Sequence, residues 1–159
     1  MQKRLLTVIS CVLIFSLAAF AADKKPAAKS SGGPDKAYAQ KIWDGWAGLD
    51  GSKQAQYYAQ GPHTFFDIAP LKYSSWEEYQ AGVANVLGEY KSATLTINDD
   101  FQSHMVGGST AWCTATVKAD MVKKNDKREM ATFRWTAVFE KQKDGKWLIV
   151  HEHVSEPMQ

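Results

Sequence analysis

The sequence predicts an α+β domain in which three N-terminal helices pack on a curved antiparallel sheet. Three observations carry that expectation. Apolar residues recur at helical spacing up to about residue 90, strand-like alternation takes over after it, and hairpin turn chemistry then punctuates the alternating runs. Length agrees: 159 residues, 45% hydrophobic and 23% charged, suffice for one globular domain and are too few for a multidomain enzyme.

The elements follow in order. Tyr38, Ile42, Trp46 and Leu49 form one helical face. Asp50 is placed to cap a second short helix carrying Ala55, Tyr58 and Ala59, which Pro62 ends. Thr64-Phe65-Phe66-Asp67-Ile68 reads as a short strand closed by Pro70. Ser74 and Glu77 have capping-box spacing, and Trp76, Tyr79, Val83, Val86 and Tyr90 then mark a third helix, with Gly88 near its end. Four long strands are expected near 92–105, 109–123, 128–141 and 146–155, separated by Gly107-Gly108, Asn125-Asp126 and Asp144-Gly145. Stretches such as Trp112 to Val117 and Phe133 to Phe139 read as apolar on both faces. Helices on one side leave the other to be covered, so a homodimer through the outer face is expected.

Ahead of the domain, Lys3-Arg4, the uncharged run from Leu5 to Phe20 and the small residues of Ala19-Phe20-Ala21 have the layout of a secretory signal peptide. Residues 1–21 are therefore expected to be cleaved, giving a periplasmic or secreted protein with no membrane association afterwards. Residues 22–34 are polar and rich in Lys, Pro, Gly and Ser, a flexible tether before a domain spanning 35–157. Of 19 basic and 17 acidic residues, two basic ones leave with the leader, so the exported chain is neutral. Neutrality gives no general reason to bind nucleic acid. The run Lys118, Lys123, Lys124, Lys127, Arg128 also holds Asp120 and Asp126 and reads as a solvated hairpin tip. Cys11 leaves too, and Cys113, with no charged neighbour to lower its pKa, reads as buried filler.

Phe65-Phe66-Asp67-Ile68-Ala69-Pro70, the segment Arg134-Trp135-Thr136, and the run from Asp144 through Trp147, His151 and His153 to Ser155, taken with the order of elements, resemble the SnoaL-like branch of the nuclear transport factor 2-like superfamily. They are also similar to the association domain of calcium/calmodulin-dependent protein kinase II. The resemblance implies a cone-shaped domain with a pocket between helices and sheet. It implies no single activity, because this fold hosts isomerases, cyclases, dehydratases and modules that only bind or assemble.

Within that frame Asp67 is implied to face the cone interior, where ketosteroid isomerase-like relatives place a general base. Aromatic neighbours would raise its pKa. The alternative is an Asp67 that caps the turn before Pro70 or pairs with Arg134. The isomerases' oxyanion partners have no counterpart at the expected places: the first helix offers Lys41-Ile42-Trp43, and the late strands offer Thr132, Arg134 and Thr136. Arg134 suggests instead an anion, such as a carboxylate ligand. His151 and His153 alternate on one strand face, together with Trp147 and Ile149, and are assigned polar ligand contacts. Their spacing also suits a metal, but no further ligand run accompanies them, so neither metal nor cofactor is expected. Trp46, Phe65, Tyr79 and Trp112 complete the candidate pocket. The favoured reading is a small-ligand-binding or assembly domain. The competing one is an isomerase- or cyclase-like enzyme with Asp67 as base on a carbonyl substrate.

Overall fold

The computed structural model describes residues 32–158; the expected leader and most of the expected tether lie outside them. Helix α1 (Lys36–Ala47) starts at Asp35, whose carboxylate accepts from Tyr38 N, and buries Ala39, Ile42, Trp43 and Trp46. The expected second helix is a single 3-10 stretch, Gly51–Gln56, capped by Asp50. Tyr58 has already left it and bridges Ile149 in the sheet. Among the described residues, two α-helices and one 3-10 turn thus replace three helices.

Strand β1 (Phe65–Phe66) is followed by α2 (Trp76–Leu87), which Gly88 ends. Its cap sits one residue later than the spacing suggests: Ser75 Oγ accepts from Glu78 N, and Glu78 reaches back to Ser74 N.

The sheet contains β2 (Tyr90–Ile97), β3 (Gln102–Val106), β4 (Thr110–Lys123), β5 (Arg128–Lys141) and β6 (Trp147–Ser155). Its order is β1-β6-β5-β4-β2, with β3 also on β4. Because β1 runs parallel to β6, the sheet is mixed rather than antiparallel throughout. What reads as one strand over 92–105 is two, both paired to the same edge of β4. The break is chemical: Asn98 N still donates to Thr116 O, but the Thr116 N–H is taken by the Asp100 carboxylate and Thr116 Oγ1 accepts from the Asn98 amide, so side chains end the ladder there. The three hairpin turns fall where expected. Gly107, Gly108, Asp126 and Gly145 all take the left-handed backbone that such turns require.

The core lies between the helices and the inner face of the sheet, built from Cys113, Val117, Trp135, Phe139 and Ile149 against Ile42, Trp43 and Trp76. Burial pushes the Cys113 thiol up, so it stays protonated. The outer face is less apolar than the sequence suggests. On β4 and β5 it carries Trp112 and Val138, but also Thr114, Thr116, Thr132, Arg134 and Thr136, in alternation with the inward residues. Among the described residues no helix is long and apolar enough to cross a membrane.

Candidate functional site

Between the helices and the sheet the core leaves a cavity of about 240 Å³. Helix α1 supplies Trp43 and Trp46, and α2 supplies Tyr79, Val83, Val86 and Leu87. The β1–α2 connection gives Asp67, Ile68, Ala69 and Tyr73, while Leu95, Met121, Phe133 and Val154 form the sheet side. The connection is pinned at its root, where Phe65 and Tyr73 exchange both backbone hydrogen bonds at 3.0 and 2.8 Å. Tyr73 also donates its hydroxyl to Ala69 O at 3.1 Å. Its ring lies flat against α2 at Gly82, where a Cβ would come within 2.3 Å of the phenol oxygen. A glycine in mid-helix costs helix propensity; here it admits a wall of the cavity.

Asp67 is the one charged residue of the lining. Its only hydrogen-bond partner among the described residues is the backbone N–H of Ile68, at 2.7 Å. Burial pushes its pKa up to about 6, and the Ile68 bond opposes this in part. Neither Arg134 nor any other cation pairs with it among the described residues.

Just behind the lining lies an acid that the sequence pattern did not single out. Glu152 is 1% exposed. It accepts from the Tyr58 hydroxyl at 2.7 Å and from the Trp135 indole N–H, and Tyr58 in turn accepts from Trp46 Nε1 at 3.0 Å. Trp46 lines the cavity, so the chain Trp46–Tyr58–Glu152 runs from its wall into the core. No Lys, Arg or His is ion-paired with Glu152 among the described residues. Burial raises it to about 7; the bonds from Tyr58 and Trp135 pull the other way, and the Asp67 charge adds to the rise. Tyr79 also stands close enough to favour the charged form.

A β-bulge explains why Glu152 faces inward. Val138 pairs with His151, but the next residue, Phe139, pairs with Ile149, which leaves Val150 as an extra residue in β6. Trp147 and Ile149 point into the core, the parity then flips, and Glu152 and Val154 are the inward pair. His151 and His153 are thus turned to the outer face, opposite to Trp147 and Ile149 and not on their side as strict alternation implies. His151 Nδ1 lies 2.8 Å from Thr64 O, and Phe66 sets its ring edge-on to both imidazoles. Among the described residues no group of three or more His, Cys, Asp or Glu could hold a metal.

The candidate pocket residues therefore divide. Trp46, Asp67 and Tyr79 line the cavity, and Phe65 lies buried beneath it, stacked on Tyr79 at 4.9 Å. Trp112, Arg134, His151 and His153 are on the other side of the sheet. Trp112 stacks on His104 at 4.2 Å, and Arg134 stands exposed between Thr116 and Ser155. The carboxylate ligand expected from Arg134 thus loses its cation, since no Lys, Arg or His lines the cavity. Trp43, Tyr58 and Tyr73 were missed along with Glu152. The valine at 154, two residues after Glu152 and on the same strand face, was the available signal.

Solved structures share this architecture at low identity. A nuclear transport factor 2-like superfamily protein from Salmonella enterica aligns with a TM-score of 0.68 at 19% identity, over 78% of this chain and 92% of that one. The association domain of calcium/calmodulin-dependent protein kinase II from C. elegans aligns with a TM-score of 0.57 at 16% identity, over 74% and 88%. A ketosteroid isomerase-like protein from Erwinia carotovora aligns with a TM-score of 0.65 at 11% identity, over 77% and 93%. No curated protein matches by sequence. The sequence model of the SnoaL-like domain matches residues 50–159, which hold most of the cavity and the whole sheet, and the chain belongs to that family, within the nuclear transport factor 2-like fold.

Proposed function

We propose that this domain binds a small, largely apolar molecule in the cavity, with Asp67 as the polar anchor that orients it. The carrying observation is the cavity itself: aromatic and aliphatic walls around a carboxylate that, among the described residues, is the one charged lining group and bonds only to its neighbour's backbone. Thermal-shift and NMR titrations with small aryl ketones and alcohols test it. Stabilisation that disappears when the cavity is filled by Val83→Trp supports the reading; equal stabilisation of that variant contradicts it.

One observation favours a catalytic reading as second choice. Asp67, raised to about 6 by burial, is poised as a general base near neutral pH. Against it, the phenols of Tyr73 and Tyr58 are engaged, donating to Ala69 O and to Glu152, and a developing oxyanion would have to rely on the Trp43 indole N–H, a lining donor with no partner among the described residues. Turnover of a ketone that is lost in Asp67→Asn would make the enzyme reading the better one.

Export and dimerisation belong to the same proposal. The basic, apolar and small-residue order of residues 1–21 supports a periplasmic or secreted protein, which intact mass of the exported form tests. Trp112, 37% exposed, and Val106, 54% exposed, support a homodimer through the outer face. Light scattering should then give a dimer that Trp112→Glu converts to monomer.

A further inference from the structure

Among the described residues, two carboxylates and no cation bear on the cavity. Its titratable lining groups are Asp67 and the phenols of Tyr73 and Tyr79, from the β1–α2 connection and α2; α1 and the sheet add none. Behind the lining stand Tyr58 and Glu152, the latter reached from the wall through Trp46 and Tyr58. An occupant displaces the water that still reaches Asp67 and completes its desolvation. A neutral apolar occupant would leave that carboxylate with one backbone N–H and no counter-charge. An anionic occupant would add a third negative charge to two that already oppose each other. A positive charge offsets both. The walls add a second, independent attraction. The rings of Trp43, Trp46, Tyr73 and Tyr79 border the same space, and aromatic faces attract ammonium groups. At the lining's edge the half-exposed side chains of Ile68 and Val86 suit the apolar part of such a molecule.

We propose that the ligand is a small organic cation, an amine or quaternary ammonium whose apolar part fills the cavity and whose charged nitrogen rests beside Asp67. This deepens the reading of the cavity as a ligand site and rests on it. The full chain is titrated by NMR with benzyltrimethylammonium, benzyl alcohol and benzoate near neutral to mildly basic pH. The ammonium should bind at least about tenfold more tightly than the alcohol, and benzoate more weakly than either. Asp67→Asn should remove the ammonium's advantage over the alcohol, weakening the ammonium by far more than the alcohol. Because that probe keeps its charge at every pH, acidifying the unmutated chain gives the same answer without a variant. The ammonium should weaken as Asp67 is protonated, and the alcohol should not. Equal binding of alcohol and ammonium, or tighter binding of benzoate, would overturn the positive charge while leaving the cavity a ligand site. Failure of all three to shift cavity signals would overturn both.

Discussion

Glu152 shows how one side chain sets the energetics around it. Its two oxygens accept from a phenol and an indole, yet burial still raises its pKa to about 7 from the ordinary 4.5. The folded chain therefore holds this proton more tightly than the unfolded chain does. That contribution to stability is full below about 4.5 and is lost as pH rises to about 7. Asp67 acts in the same direction between 3.8 and about 6. In Glu152→Gln the melting temperature should fall less than in the unmutated chain across the 4.5-to-7 interval, as followed by thermal denaturation at several pH values. Glu152→Leu, by contrast, leaves the Tyr58 hydroxyl and the Trp135 N–H without an acceptor and should cost roughly 1–3 kcal/mol for each. Asp67 was reached through the family resemblance carried by Phe65-Phe66-Asp67-Ile68-Ala69-Pro70, its local position alone leaving a turn cap open. Glu152 was not, because the alternation of His151 and His153 drew the reading to the wrong side of a strand whose bulge cannot be seen from residue types.

At the scale of elements, both helices were legible from apolar spacing and caps, while the piece between them was not. Tyr58 reads as part of a helix face but joins the sheet edge, because six residues of 3-10 turn end before it and its backbone finds Ile149. Strands β2 and β3 read as one because both carry alternating residues; Asp100 and Asn98 decide the break by bonding Thr116. Helix α2 offers a direct test of packing against propensity. Gly82→Ala should gain about 1 kcal/mol in helix propensity, yet its methyl would overlap the Tyr73 ring. We expect net destabilisation of roughly 1–3 kcal/mol, measured by urea denaturation, with altered signals around Asp67. On β5 the opposite holds. Arg134→Ala touches only solvent and the outer row, so its stability should stay within about 0.5 kcal/mol and ligand affinity in the cavity should not change.

For the molecule as a whole, the mixed sheet divides two surfaces with different chemistry. The inner one meets the helices and surrounds a cavity with one partly buried carboxylate; the outer one carries Trp112, His104, Arg134 and the two strand histidines among threonines. The α+β class and the run of hairpins were legible from periodicity; the parallel β1–β6 pairing and the 3-10 turn in place of a second helix were not. The division of the candidate residues between these surfaces was not legible either: periodicity does not say which face of β4 and β5 turns inward, and on β6 a single inserted residue reverses the parity of His151 and His153. The tryptophans distinguish the two surfaces, because Trp43 and Trp46 line the cavity and Trp112 stacks on His104 outside it. The most direct measurement is therefore an NMR titration that follows the indole N–H signals as benzyltrimethylammonium or acetophenone is added. Saturable shifts of Trp43 and Trp46, with Trp112 unmoved, are the predicted result. Shifts confined to Trp112 and the histidines of the outer face would contradict a ligand site in the cavity.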